Sequence, residues 1–185
     1  MKKVSFFLSM LAGFLIFLSR PKKVLAPITQ QHQGLYPGTE IEIEAGDLLF
    51  SPIGKSESKY VGHVGILDTN HKVTHSVPSG LIQDSVENYC KKFGSITIYA
   101  PRRPEHGLKA ASYLKNLYNK FPKADYKVFS SLAYSEGKQY CTKIVWLSYK
   151  KGAGINLGSL PDYAKAVHPR FIRDLSFLYK KGAIN

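Results

Sequence analysis

The chain has 185 residues, 44% of them apolar, and a formal net charge of +13. That length carries one domain with a packed core plus extensions, and two cysteines without a CxxC spacing exclude both a disulfide framework and a zinc ribbon. The charge suits polyanionic surroundings such as nucleic acid, anionic lipid or acidic wall polymers, but the arginine-rich runs and interleaved aromatics of a nucleic-acid module are missing.

Lys2 and Lys3 precede an uncharged run from Val4 to Ser19, and Arg20, Lys22 and Lys23 follow it. At the helical rise this run reaches about 24 Å, short of the roughly 30 Å hydrocarbon layer. A basic start and a short apolar core are signal-peptide grammar, yet the usual small-x-small cleavage site is missing. Residues 1–23 therefore read as a signal peptide or a short membrane anchor, which implies an exported or membrane-anchored protein of the cell envelope. Residues 24–40, with Pro27, several glutamines and the YPGT turn, read as a linker, leaving 41–185 as the folded domain.

Within the domain, a turn at Gly46–Asp47 leads into a strand at 48–50. KSESKY is a polar loop or one helical turn. VGHVGILD is β-branched and alternating, TNHK turns the chain, and VTHSV returns as a second strand, a plausible hairpin that PSGL breaks. SVENYCKKF, 85–93, has helical spacing, and SITIYAP is a strand. Residues 105–121 place Leu108, Ala111, Leu114, Leu117 and Phe121 on one helix face, and Pro122 ends the helix. YCTKIVWLSYKKG is a short helix closed by Gly152, and PRFIRDLSFLYKKG has a weak helical period. This order of strands and helices predicts an α+β domain with a small antiparallel sheet packed against helices.

Cys141 falls at the start of its predicted helix, where unpaired N–H groups and the positive dipole end would favour a thiolate and offer donors to an oxyanion. A nucleophile there needs a base, and the histidines are His32, His63, His71, His75, His106 and His168. His63 lies inside a strand between apolar neighbours, and His75 lies on the strand expected to pair with it. A hairpin could set one imidazole beside the other, so that His75 orients His63, a nucleophile–base–orienter arrangement. The same residues also read without chemistry, as a hydrogen-bonded core histidine and a small buried thiol. In an oxidising compartment Cys90 and Cys141 could instead form a disulfide.

The stretches AGDLLF (45–50), GHVGIL (62–67), KVTHSVPSGLIQDSVENY (72–89) and QYCTKIVW (139–146) resemble the circularly permuted branch of the NlpC-type, papain-like hydrolases, in particular the YiiX-like proteins. KADYKVFS (123–130) resembles the Tyr/Asp segment these proteins carry before the cysteine. The resemblance spans about residues 42–165. It implies a permuted papain-like fold, with Cys141 as nucleophile, His63 as base and His75 at the third polar position. Two departures stand out: His75 occupies a place where the YiiX-like pattern has glutamate, and Thr142-Lys143 replaces a common Ser-Glu. Histidine at the third place is usual in unpermuted NlpC-type enzymes and occurs in the permuted lecithin:retinol acyltransferase group.

The resulting expectation is a cysteine-dependent hydrolase that cleaves an amide or ester through a thioester, with no cofactor and no metal. Its substrate would be a cell-wall peptide or a lipid-linked group, with a lipid acyl hydrolase or acyltransferase as the alternative. An anionic membrane surface or wall polymer is the expected partner, and a specific nucleic acid is not. A membrane-tethered basic binding module without catalysis is the non-enzymatic alternative. A lipid enzyme needs an apolar groove leading to Cys141, whereas a wall enzyme needs a polar cleft.

Overall fold

The computed structural model describes residues 34–52 and 62–184. The apolar segment 1–23, residues 24–33 of the expected linker, His32, and the KSESKY loop with Tyr60 lie outside the described residues. Residues 34–40 belong to the compact unit rather than to a linker, because Tyr36 is fully buried and its hydroxyl donates to Asp47 Oδ2 at 2.9 Å.

Among the described residues the domain is α+β. Strands β1 (Leu48–Ser51), β2 (His63–Leu67), β3 (Lys72–Val77), β4 (Gly80–Ser85), β5 (Ile96–Pro101) and β8 (Leu178–Ile184) form one antiparallel sheet in the order β4-β3-β2-β1-β5-β8. Helix α1 (Val86–Phe93) follows β4 directly, and its N-terminus is capped by Ser85 Oγ, which accepts from Asn88 N. Helix α2 (Pro104–Lys120) starts with proline, where the missing N–H costs nothing. A short parallel pair, β6 (Asp125–Tyr126) with β7 (Lys138–Gln139), leads into helix α3 (Cys141–Leu147), which continues as a π-helical stretch to Ala153.

The two sheet faces carry different cores, because strand side chains alternate. Leu48, Phe50, Val64 and Ile66 pack with Ala110, Leu114 and Trp146 from α2 and α3. Leu49, Leu67, Val73 and Ile98 pack with Tyr89 and Phe93 of α1 and with Tyr36 on the other side. Both Cys141 and His63 are buried at this sheet: Cys141 packs in the first core, and alternation along β2 puts His63 on the face of the second.

Three expectations are corrected. PSGL does not end the hairpin: the turn at Pro78–Ser79 sends the chain back as β4, which extends the sheet. The weak helical period of 169–182 yields a short 3-10 turn, Pro169–Ile172, and then β8, because pairing with β5 satisfies the backbone. Leu108 is 55% exposed, and the buried stripe of α2 is Gly107, Ala110, Ala111, Leu114 and Leu117.

The predicted turn before β1 is held closely. Gly46 adopts φ +89°, and a Cβ there would lie 2.3 Å from the Gly107 Cα of α2. Its carbonyl accepts the Tyr149 hydroxyl at 2.7 Å. A Gly46→Ala variant combines left-handed strain with a backbone clash, and should lose about 2 kcal/mol or more of unfolding free energy in denaturant titration. An unchanged midpoint would contradict this packing.

Candidate active site

Register places the two histidines. In the β2–β3 ladder Ile66 faces Thr74 and Leu67 faces Val73, so continuing the register sets His75 opposite Gly65 and diagonal to His63, on one face. Their rings meet: His63 Nε2 and His75 Nδ1 are 2.9 Å apart. Gly65 leaves the space beneath Tyr89, since a Cβ there would lie 2.5 Å from Val73 Cγ1 and 3.0 Å from the Tyr89 ring. His63 stacks on Phe93 with ring centres 4.3 Å apart, and His75 meets Tyr89 edge-on at 5.1 Å. Helix α1 thus walls both imidazoles with aromatic carbon.

A third member comes from β4. Val73 pairs with Asp84, so Asp84 shares the His75 face one step along, and His75 Nε2 lies 2.8 Å from Asp84 Oδ2. Lys92 of α1 bonds both Asp84 oxygens, at 2.9 and 2.8 Å. Burial raises the Asp84 carboxyl, but Lys92 and then His75 outweigh it, and the net shift is downward, toward the carboxylate.

This order sets the tautomers. A carboxylate only accepts, so His75 donates from Nε2, and with a single ring proton it presents a bare Nδ1 to His63. His63 must then donate from Nε2, which leaves its Nδ1 lone pair as the free base. Burial, with the adjacent His75 second, lowers the His63 pKa from 6.5 to about 3, so this base rests neutral.

Cys141 approaches from the other face. Leu67 bonds to Asp47 across β1, and alternation makes Val64 opposite Phe50 a non-hydrogen-bonded pair on that side. The Val64 N–H therefore points toward β3, where the ladder contains only Ile66 and Leu67. The Val64 N–H is one of the backbone donors that lie at the Cys141 sulfur. The thiol thus meets the peptide joining Val64 to His63. Its side-chain hydrogen bond is with Thr142 Oγ1 at 3.9 Å, and not with His63.

Burial pushes the Cys141 thiol up, and the Thr142 hydroxyl and the N–H groups of Val64, Thr142 and Cys141 itself oppose it without reversing it. The thiolate expected from the helix start is therefore not the resting state; a neutral thiol is. Cys90 and Cys141 are both free thiols, which removes the disulfide reading. Cys90 packs against the α1 core, and burial, then Glu87, raise its pKa to about 11.

The remaining candidates lie elsewhere. His71 is exposed in its turn at φ 58°, and His168 caps the 3-10 turn. Asp47 is structural: its Oδ2 accepts from Tyr36, Glu44 N and Lys181. Tyr140 is buried, with its hydroxyl accepting from Val167 N.

A groove of about 720 Å³ lies along residues 126–138, and neither Cys141 nor His63 is among its lining residues. Tyr126, Val128, Phe129 and Tyr134 supply apolar walls, and Lys127 and Lys138 sit among them. Tyr126 pairs with Gln139, two residues before Cys141, and burial, then Cys141, raise the Tyr126 pKa.

The description "Lipoprotein N-acylation protein LnsA-like" names the family whose pattern matches residues 3–174. A solved structure described as the metalloprotein yiiX from Escherichia coli O157:H7 shares the fold, with a TM-score of 0.55 and 19% identity over 77% of this chain and 96% of that one. No curated protein matches the sequence. Among the described residues, no group of three or more His, Cys, Asp or Glu side chains could hold a metal ion, and the facing His63 and His75 nitrogens are spent on each other. These residues do not fit a metal, and no step below passes through one.

A base buried neutral makes stability depend on pH. Between pH 6.5 and about 3 the unfolded chain binds a proton that folded His63 refuses. His63 therefore contributes full stability above this window and loses it as pH falls, by up to about 1.4 kcal/mol per pH unit. Asp84, with its lowered pKa, adds the same sign at lower pH. Denaturant titrations of His63→Gln should show a flatter dependence between pH 6.5 and about 4 than the parent; equal slopes would contradict a buried neutral imidazole.

Proposed function

The chain belongs to the lipoprotein N-acylation protein LnsA-like family, and on that premise we propose that it is a cysteine acyl-transfer enzyme. Cys141 would take an acyl group from an ester as a thioester and pass it to an amine or to water. The observation that carries this reading is the hydrogen-bond chain Asp84–His75–His63, which leaves a bare nitrogen on the residue whose following N–H meets the Cys141 sulfur. We also read the fold as the permuted papain-like arrangement, since the histidine strands precede the cysteine helix.

The steps follow from the protonation states. The sulfur attacks the ester carbonyl while His63 Nδ1 takes the thiol proton, so thiolate and imidazolium appear together during attack. The scheme requires the sulfur to leave Thr142 and come within hydrogen-bond range of His63 Nδ1 during attack. Backbone N–H groups at Cys141 and Thr142 face the developing oxyanion. The imidazolium returns its proton to the departing alcohol, and the thioester remains. An amine then attacks the thioester, His63 accepts its proton, and the expelled sulfur is reprotonated. His75 and Asp84 hold His63 in one tautomer, and the carboxylate at the end of the chain favours the transient imidazolium.

The groove's walls at Tyr126, Val128 and Phe129 suit an acyl chain, and Lys127, Lys138, Lys165 and three serines line the rest of it. Burial of both Cys141 and His63 keeps bulk water from the thioester and so favours transfer over hydrolysis.

Incubation with the p-nitrophenyl ester of a medium-chain fatty acid should give a hydroxylamine-labile adduct on Cys141 in intact-mass spectrometry. Cys141→Ala should form none, and release of p-nitrophenol at the parent rate from that variant would refute the scheme. Asp84→Asn should lower kcat about 100-fold with little change in KM, because it removes the anion that fixes the tautomers. An unaltered kcat would leave Asp84 a purely structural role.

A further inference from the structure

Two segments beside the groove are stitched into one face. Leu132 N bonds to Ala164 O at 2.9 Å, Ala133 N to Asp162 O at 3.0 Å and Ala166 N to Val128 O at 3.0 Å. From this face Phe129, Tyr163 and Tyr134 project into solvent, 80%, 73% and 63% exposed. Lys127, Lys138 and Lys165 are exposed among them. Of the acids nearby, Glu136 is already paired with Lys151 and Lys120, which leaves Asp162, next to Tyr163, and Asp125, opposite Lys138 in the β6–β7 ladder, as exposed acids against the three lysines.

The rings do not ride on a loose loop. Buried Lys143, two residues after Cys141, reaches under it and donates to Tyr134 O at 2.6 Å, Ser135 O at 3.1 Å and Ser130 Oγ at 3.3 Å. Leu132 is fully buried between the exposed rings. An exposed phenylalanine on a braced backbone leaves an apolar side chain in water with no local gain.

We infer that this face, built from Phe129, Tyr134, Tyr163, Lys127, Lys138 and Lys165, seats on an anionic bilayer surface. Tyrosine and phenylalanine at the headgroup level with lysines reaching the lipid phosphates is the composition of an interfacial site. A protein partner would instead favour a ring cluster depleted of lysine. The groove is lined by residues of the same face, so a seated domain would open it to the lipid. The inference rests on the acyl-transfer reading for its purpose, but not for its test.

The test uses the full chain bound to vesicles of phosphatidylcholine with about a third phosphatidylglycerol, part of the lipid being brominated on its acyl chains. The native Trp146 is fully buried, and Phe129→Trp or Tyr163→Trp adds an exposed reporter. Emission from either added reporter should fall by about half. Adding Lys127→Glu, Lys138→Glu and Lys165→Glu, or omitting phosphatidylglycerol, should restore it. Leu108→Trp is the control, since Leu108 lies near the start of α2 and Gly137 of the groove loop packs near its end, at Phe121. Absent quenching at both face positions, equal quenching at position 108, or quenching indifferent to lipid charge would overturn the inference. The readout does not pass through Cys141. A chain that docks but forms no thioester refutes the acyl-transfer reading alone; one that forms the thioester without quenching refutes the docking face alone.

Discussion

The hydrogen bond from His75 to Asp84 is the constraint on which the site depends. A carboxylate can only accept, and this one is held in its charged form by Lys92, so the proton positions of two imidazoles follow from it in sequence. Without it, His75 would be free to donate toward His63, and the lone pair of His63 would be spent within the pair. With it, the only basic nitrogen left is His63 Nδ1. The chain also places a full negative charge behind the pair, which a neutral imidazole in the third position does not provide by itself.

Packing makes that constraint rigid. Gly65 opens the strand for Tyr89, Tyr89 reaches through to the Leu49 carbonyl at 3.0 Å, and Phe93 fixes the plane of His63. That aromatic shell shields His63, and burial in the opposite core raises the Cys141 thiol, so both rest uncharged. A neutral thiol beside a neutral imidazole costs less to bury than an ion pair, and the charge separation is deferred to the moment of attack. The sheet contributes its backbone: β2 pairs with β3 at Ile66 and Leu67, and the Val64 N–H lies where the helix-borne sulfur meets the histidine strand.

Much of this was legible in the residues. The β2–β3 hairpin follows from alternation, the turn at Gly46 from its glycine, and α3 from the helical reading of YCTKIVWLSYKKG. The pairing of His63 with His75 follows from that hairpin. Asp84 was not legible, because PSGL looks like a break; once Gly80–Ser85 pairs with β3, Asp84 necessarily shares a face with His75. Alternation in LIQDS after the Ser79–Gly80 turn was the available signal. Strand β8 was hidden because its apolar spacing is too sparse to distinguish periods, and only the open edge of β5 decides it. The sign of the Cys141 shift also escaped, since the helix start argues for a thiolate, and the burial that opposes it is a property of tertiary packing.

The most direct measurement is the protonation pattern of the two imidazoles by nitrogen-detected NMR on protein labelled at histidine, near neutral pH. The account predicts a proton on His63 Nε2 and none on Nδ1, with His75 protonated on Nε2 and bare on Nδ1, all exchanging slowly behind the aromatic wall. A His63 ring protonated on Nδ1, or protonated on both nitrogens, would contradict it, because no base would then stand ready for the Cys141 proton.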